Sequence, residues 1–185
     1  MMRTSTSHRY GRVAVGLHWL IAILIPLALA SGYAADAVKT GQAAYLTFHV
    51  GAGSLAGILT ILRVVWWWGF DTRPGADPAT TPWARRAAGF VHGLLIVLPL
   101  LALASGIGLF AISGAGAVLF GGGTGALPVF ENYPPRHAHG LVTRLLLICA
   151  GLHVAAALYH TFVLRDGLLD RMRLQDTMRS SGNRS

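Results

Sequence analysis

The chain has 185 residues, 54% of them apolar and only 12% charged, and this balance excludes an ordinary soluble domain and predicts a membrane protein. Its formal charge of +8 comes from arginines at the margins of apolar runs, with no aromatic and basic interleaving, which excludes a nucleic-acid reader. A single cysteine, Cys149, excludes a disulfide framework and is expected to serve in packing.

Residues 1–12 form a basic tail carrying Arg3, Arg9, Arg12 and His8, the last a solvated surface histidine. The first apolar run covers 13–35 and includes Pro26, which is expected to kink it. A basic start, an apolar run and the small-residue stretch ASGYAADA together resemble a secretory leader. The run is longer than a signal core and opens on His18-Trp19, a pair that a discarded leader has no need to include, so it is read as a retained span. A short loop over 36–42 leads to the second run, 43–68, which ends in Trp66-Trp67-Trp68 at the expected headgroup level. The stretch GFDTRPGADPATTPW is a loop rich in proline and small residues. The third run, 84–112, contains Pro99 and leads into SGAGAVLFGGGTGALPVFENYPP. That stretch lacks the Lys-Ser/Thr ending of a phosphate-binding loop and reads as a flexible or interfacial connection. The fourth run is 137–164, and 166–185 form a second polar tail.

Each run exceeds the roughly 20 helical residues that cross a hydrocarbon core. The expected architecture is all-α, an integral membrane four-helix bundle in a single domain spanning 1–185, with no internal repeat. Basic residues fall on one side: Arg3, Arg9 and Arg12, then Arg63, Arg73, Arg85 and Arg86, then Arg165, Arg171, Arg173, Arg179 and Arg184. The opposite side has Lys39 and Arg136, with Arg144 further into the fourth span. By the positive-inside rule both termini are cytoplasmic.

Seven histidines lie in or beside these spans: His18, His49, His92, His137, His139, His153 and His160. Ionisable groups at such depths are functional by default, against the plainer role of a neutral imidazole bonded between helices. Fourteen residues separate His139 from His153, a rise of about 21 Å and nearly four turns, so both look out from one helix face at two depths. Matching depths pair His139 with His49 near the outer surface and His153 with His18 toward the cytoplasm. Two opposed imidazole pairs at two depths are what two six-coordinate haems require. His160, seven residues beyond His153, shares its face and rivals it as the inner ligand. His137 points elsewhere and is expected at the surface; His92 has no mate at the outer level and is assigned to a quinone or propionate contact. Small residues beside the histidines, Gly51, Gly53 and Gly57 in the second span and Ser105, Gly106 and Gly108 in the third, suit close approach to a flat cofactor or to another helix. Arg12 and Arg63 at the inner level, and Arg144 at the outer, are candidate propionate partners.

The elements GRVAVGLHW, FHVGAGSLAGILTILRVVWW, FVHGLLIVLPLLALASGIGL and HGLVTRLLLICAGLHVAAALYH together resemble the bacterial two-haem cytochrome b561 family of the inner membrane. The resemblance runs through all four spans and implies His18, His49, His139 and His153 as axial ligands of two b-type haems. It also implies electron transfer between a quinone and a second partner. Short stand-alone members look like enzymes that oxidise superoxide at the outer face and pass its electron to ubiquinone, which would place His92 and His160 at the quinone end. Lys39, Arg136 and His137 would then draw in a small anion. Two alternatives stand beside this reading: a cytochrome b subunit of a larger dehydrogenase or hydrogenase complex, and a metal or proton transporter with histidine relays. The transporter is disfavoured by the lack of intramembrane carboxylates.

Overall fold

The computed structural model describes residues 10–38, 40–71, 81–122 and 125–172; the expectations for His8, Lys39, Arg73 and the terminal tails lie outside them in whole or part. Four helices are long and apolar enough to cross a membrane: α1 (Arg12–Ala37), α2 (Gln42–Gly69), α3 (Pro82–Ser113) and α5 (Pro134–Tyr159), the last extended by a single π-type turn, His160–Leu164. No strand occurs among the described residues.

The helix ends follow local chemistry. Thr81 accepts a hydrogen bond from the Ala84 N–H and Pro82 follows it, a start that satisfies one free donor and omits another. Pro134 and Pro135 open α5, three residues earlier than the sequence suggests, so Arg136 and His137 are helical. Gly114, at φ 71°, ends α3 with a conformation that a side chain would strain. The glycine-rich stretch, expected to be a flexible or interfacial connection, contains a short helix, α4 (Ala115–Leu119), and one 3-10 turn over Phe130–Asn132.

Between adjacent spans, α1 packs chiefly on α2 and α3 on α5. The buried core consists of Ile21, Ile25, Ala56, Leu98, Leu146 and Cys149, with Leu24, Leu59, Leu95 and Val142 packed around it. Cys149 is buried, as packing requires, with its thiol 3.8 Å from the Val91 carbonyl oxygen. The core has a functional position. Leu146 lies seven residues from both His139 and His153, Ile21 and Ile25 follow His18, and Ala56 lies between His49 and Arg63. The apolar cluster therefore separates the level of His49 and His139, expected to be the outer one, from that of His18 and His153, expected to be the inner one. Many large apolar side chains elsewhere face outward, among them Ile58, Leu152 and Phe162, as lipid-facing surfaces demand.

The architecture also corrects the expectation of no internal repeat. Aligning α1 with α3 pairs Arg12 with Arg86, Ala14 with Ala88, His18 with His92, Leu20 with Leu94 and Leu24 with Leu98. The hexapeptide LALASG then recurs unchanged at 27–32 and 101–106. Aligning α2 with α5 pairs His49 with His139, Leu55 with Leu145, Ile58 with Ile148, Leu62 with Leu152 and Val64 with Val154. The bundle is thus two related hairpins, α1–α2 and α3–α5, running in the same sense, a known way of building membrane proteins.

Candidate functional site

The outer level repeats one device twice. On α2, His49 places Nδ1 2.7 Å from the carbonyl oxygen of Ala28 in α1. On α5, His139 places Nδ1 3.0 Å from the carbonyl oxygen of Ala102 in α3, with Ser105 Oγ 3.1 Å away. Each carbonyl belongs to a LALASG copy, and each imidazole nestles against that copy's glycine. A Cβ on Gly32 would stand 2.9 Å from His49 Nδ1, and one on Gly106 3.3 Å from His139 Cε1. An imidazole that donates Nδ1–H to a carbonyl has its tautomer fixed, and Nε2 is left with a lone pair for a metal.

The two rings face one another with centroids 5.8 Å apart. The inner level holds a similar pair, His18 and His153, at 6.4 Å. Imidazoles bound to one metal from opposite sides, with bonds of about 2 Å and ring radii of about 1.1 Å, have centroids about 6 Å apart. Both pairs fit that spacing.

Around the outer pair lies a cavity of about 380 Å³, walled by Ile25, Gly32, Gly53, Gly57, Leu103 and Leu119 among others. Its walls are largely apolar, with His49, His139 and Arg144 among its few polar groups, the pattern of a cofactor site. The side of α4 that carries Ala115 and Leu119 helps to close it, so the glycine-rich connection contributes to the site. A flat, apolar macrocycle with a central iron and acidic edges fits these residues: imidazoles for the metal, glycines for the plate, Arg144 for a propionate.

The remaining candidates separate by position. Arg136 also borders the cavity, but its guanidinium binds Asp36 at 2.6 Å and lies 4.0 Å from Glu131, tying the start of α5 to the end of α1. His137 is exposed, and its Nε2 lies 3.1 Å from the Glu131 carbonyl oxygen. At the inner level His92 joins the His18 and His153 pair, its ring 5.3 Å from that of His153. Arg63 stacks over Trp67 at 4.5 Å, with its charge in electrostatic reach of both His18 and His153. Arg12 is exposed at the start of α1. His160 falls in the π-type turn, where its Nδ1 meets Asp166 at 2.5 Å, so the structure brings His153, and not His160, to His18. Sequence reasoning missed the carbonyls of Ala28 and Ala102 and the clasp of Asp36 on Arg136; only the repeated LALASG could have signalled the first.

Four membrane-length helices that bring imidazoles together in pairs suit a haem-binding membrane cytochrome. The chain belongs to the prokaryotic cytochrome b561 family, whose model matches residues 9–174. It is 32% identical over 173 residues to cytochrome b562 of Cereibacter sphaeroides, covering 88% of this chain and 94% of that one. Cytochrome b561 homolog 1 of Escherichia coli is 23% identical over 175 residues, covering 89% and 97%. A probable superoxide oxidase of Yersinia pestis is 26% identical over 177 residues, covering 89% and 95%. The protein is therefore a multi-pass bacterial membrane protein that binds haem b and transfers electrons.

Proposed function

We propose that the chain binds two b-type haems in the inner membrane, takes electrons from superoxide at the outer face and delivers them to ubiquinone at the cytoplasmic end. The observation that carries this reading is the pair of facing imidazole sets at two depths, His49 with His139 and His18 with His153. When bound, each haem supplies a one-electron Fe(III)/Fe(II) couple. The residues of the chain do the rest. Ala28 and Ala102 orient the outer ligands, the core around Leu146 keeps water from between the levels, and Arg144, with Arg12 and Arg63 at the inner level, balances propionate charge. Two superoxide anions each lose one electron and leave as dioxygen; the two electrons, with two cytoplasmic protons, convert ubiquinone to ubiquinol. His92 and His160 lie at that end, and His160 with Asp166 forms a polar pair able to pass a proton. Both termini are cytoplasmic, since Arg12, Arg63, Arg85, Arg86 and Arg165 share that end of the bundle. The superoxide assignment is supported by the likeness to the probable superoxide oxidase of Yersinia pestis.

One observation favours a second reading, a cytochrome subunit of a larger dehydrogenase or hydrogenase complex. The outer guanidinium of Arg136 is offset by Asp36, which reduces the pull on a small anion. Rapid mixing of the quinone-free oxidised protein with superoxide separates the two. Haem reduction well above the background rate is expected for the oxidase; reduction no faster than background, with a partner protein that co-purifies, selects the subunit.

A further inference from the structure

The two-hairpin repeat makes a statement about the inner level that depth matching alone does not. His18 lies fourteen residues before Gly32, and His92 lies fourteen residues before Gly106. They are the same position of the two hairpins. Likewise Arg63 follows His49 by fourteen residues, as His153 follows His139. A strictly two-fold bundle would therefore have His18 and His92 facing each other across the inner level, flanked by one residue from α2 and one from α5. Here that flanking pair is Arg63 and His153, and the inner level contains three imidazoles where the outer contains two.

Two of the three lie close to the third. His153 is the shared neighbour, with its ring 6.4 Å from His18 and 5.3 Å from His92. The interplanar angles are nearly alike, 77° and 72°. The shorter spacing is within about 1 Å of the roughly 6 Å that two ligands on one metal need. A change of that size falls within what side-chain torsions of a half-open site provide, and His92 is not locked in a buried core: its side chain is exposed. The Nδ1 of His160 is engaged by Asp166.

We propose that the inner site is a three-imidazole site, in which His92, the repeat counterpart of His18, can take its place opposite His153. This rests on the two-haem reading, and its test separates the two. The proteins to compare are wild type, His18→Ala, His92→Ala and the double variant, purified in detergent. Three readouts are taken: the haem-to-protein ratio, the low-temperature electron paramagnetic resonance spectrum, and reduced-minus-oxidised optical bands. The outer haem, held by His49 and His139, reports in each variant that the bundle is folded.

The expected result is two low-spin haems per chain in wild type and in His92→Ala, and two in His18→Ala, the inner one with a shifted signal. In the double variant one haem remains. Loss of the inner haem from His18→Ala with the outer haem intact overturns the proposal and leaves the two-haem reading standing. So does an inner haem in His18→Ala that turns high-spin and five-coordinate. Retention of two low-spin haems in the double variant also overturns it, since the replacing ligand would then not be His92. A wild type with fewer than two haems, prepared with ample haem, removes the underlying reading itself.

Discussion

Replacing Gly32 by alanine sets two effects of opposite sign against each other. Inside a helix this exchange ordinarily stabilises by about 0.5–1 kcal/mol, because alanine loses less backbone entropy. At this position the new Cβ would lie 2.9 Å from His49 Nδ1 and 3.0 Å from its Cε1, where ordinary contact starts at 3.4 Å. The ring must retreat by about 0.5 Å, and the atom being pushed is the one that the Ala28 carbonyl holds at 2.7 Å. Disturbing the partner that orients a metal-bound histidine costs about 10–100-fold in metal affinity, or about 1.4–2.8 kcal/mol. The expected outcome is weaker haem retention at the outer level by that factor, with the apoprotein as stable as wild type or slightly more so. Haem titration into the apoprotein in detergent, read by the reduced-minus-oxidised spectrum, measures the first; thermal unfolding of the apoprotein measures the second. Gly106→Ala, with its closest approach of 3.3 Å, should show a smaller loss, and Gly51→Ala, with nothing within 4 Å, none. Wild-type haem affinity in Gly32→Ala, or an equal loss in Gly51→Ala, would refute the argument that the glycine is there for the imidazole.

Three further outcomes follow from packing and charge. Leu146→Ala, at the core between the histidine levels and 4% exposed, should cost about 2–5 kcal/mol in a detergent unfolding assay, whereas Leu152→Ala, 62% exposed, should change the midpoint little. Gly57→Ala would bring a Cβ within 2.7 Å of Leu103 Cδ2; the overpacking should cost about 1–3 kcal/mol, and adding Leu103→Ala should recover part of it. A double-mutant cycle on Arg136 and Asp36, whose side chains are 25% and 53% exposed, should give a coupling of no more than about 1 kcal/mol, because water screens the pair.

The four spans were legible because crossing hydrocarbon is a matter of length and composition, which a sequence displays directly. The facing of His139 and His153 was legible because fourteen residues nearly close four turns. His160, seven residues beyond His153, follows it on an α-helical stretch, but its Nδ1 meets Asp166, a contact that residue spacing does not display. The short helix Ala115–Leu119 was invisible because one turn and a half has no stability of its own and forms only against α3 and α2. The repeat was missed for a different reason. The α1 and α3 copies are offset by 74 residues and those of α2 and α5 by 90, because the connections within the hairpins differ in length. No single self-comparison brings both into register, and most identities are the apolar residues that any membrane helix contains. The docking of His49 and His139 on the two LALASG copies gives the equivalence its physical content.

That equivalence explains why the outer and inner levels differ in kind. At the outer level both hairpins contribute the same parts, a histidine, a carbonyl beside its Nδ1 and a glycine against the ring, so the two proposed ligands of that site are matched. At the inner level the counterpart of His153 is Arg63, and its positive charge acts on His18 and His153 together. A nearby positive charge favours the reduced state of a metal centre, which carries one positive charge fewer, and so raises its potential. At the outer level Asp36 offsets the guanidinium of Arg136, and Arg144 borders the cavity. On the two-haem reading proposed above, an arginine where the repeat has a histidine would tilt the inner site toward the higher potential, the sense that transfer from the outer level to a cytoplasmic quinone requires. Arg63→Gln should lower the inner midpoint potential and leave the outer one in place; a redox titration in which both moved together, or neither did, would show that the tilt has another source.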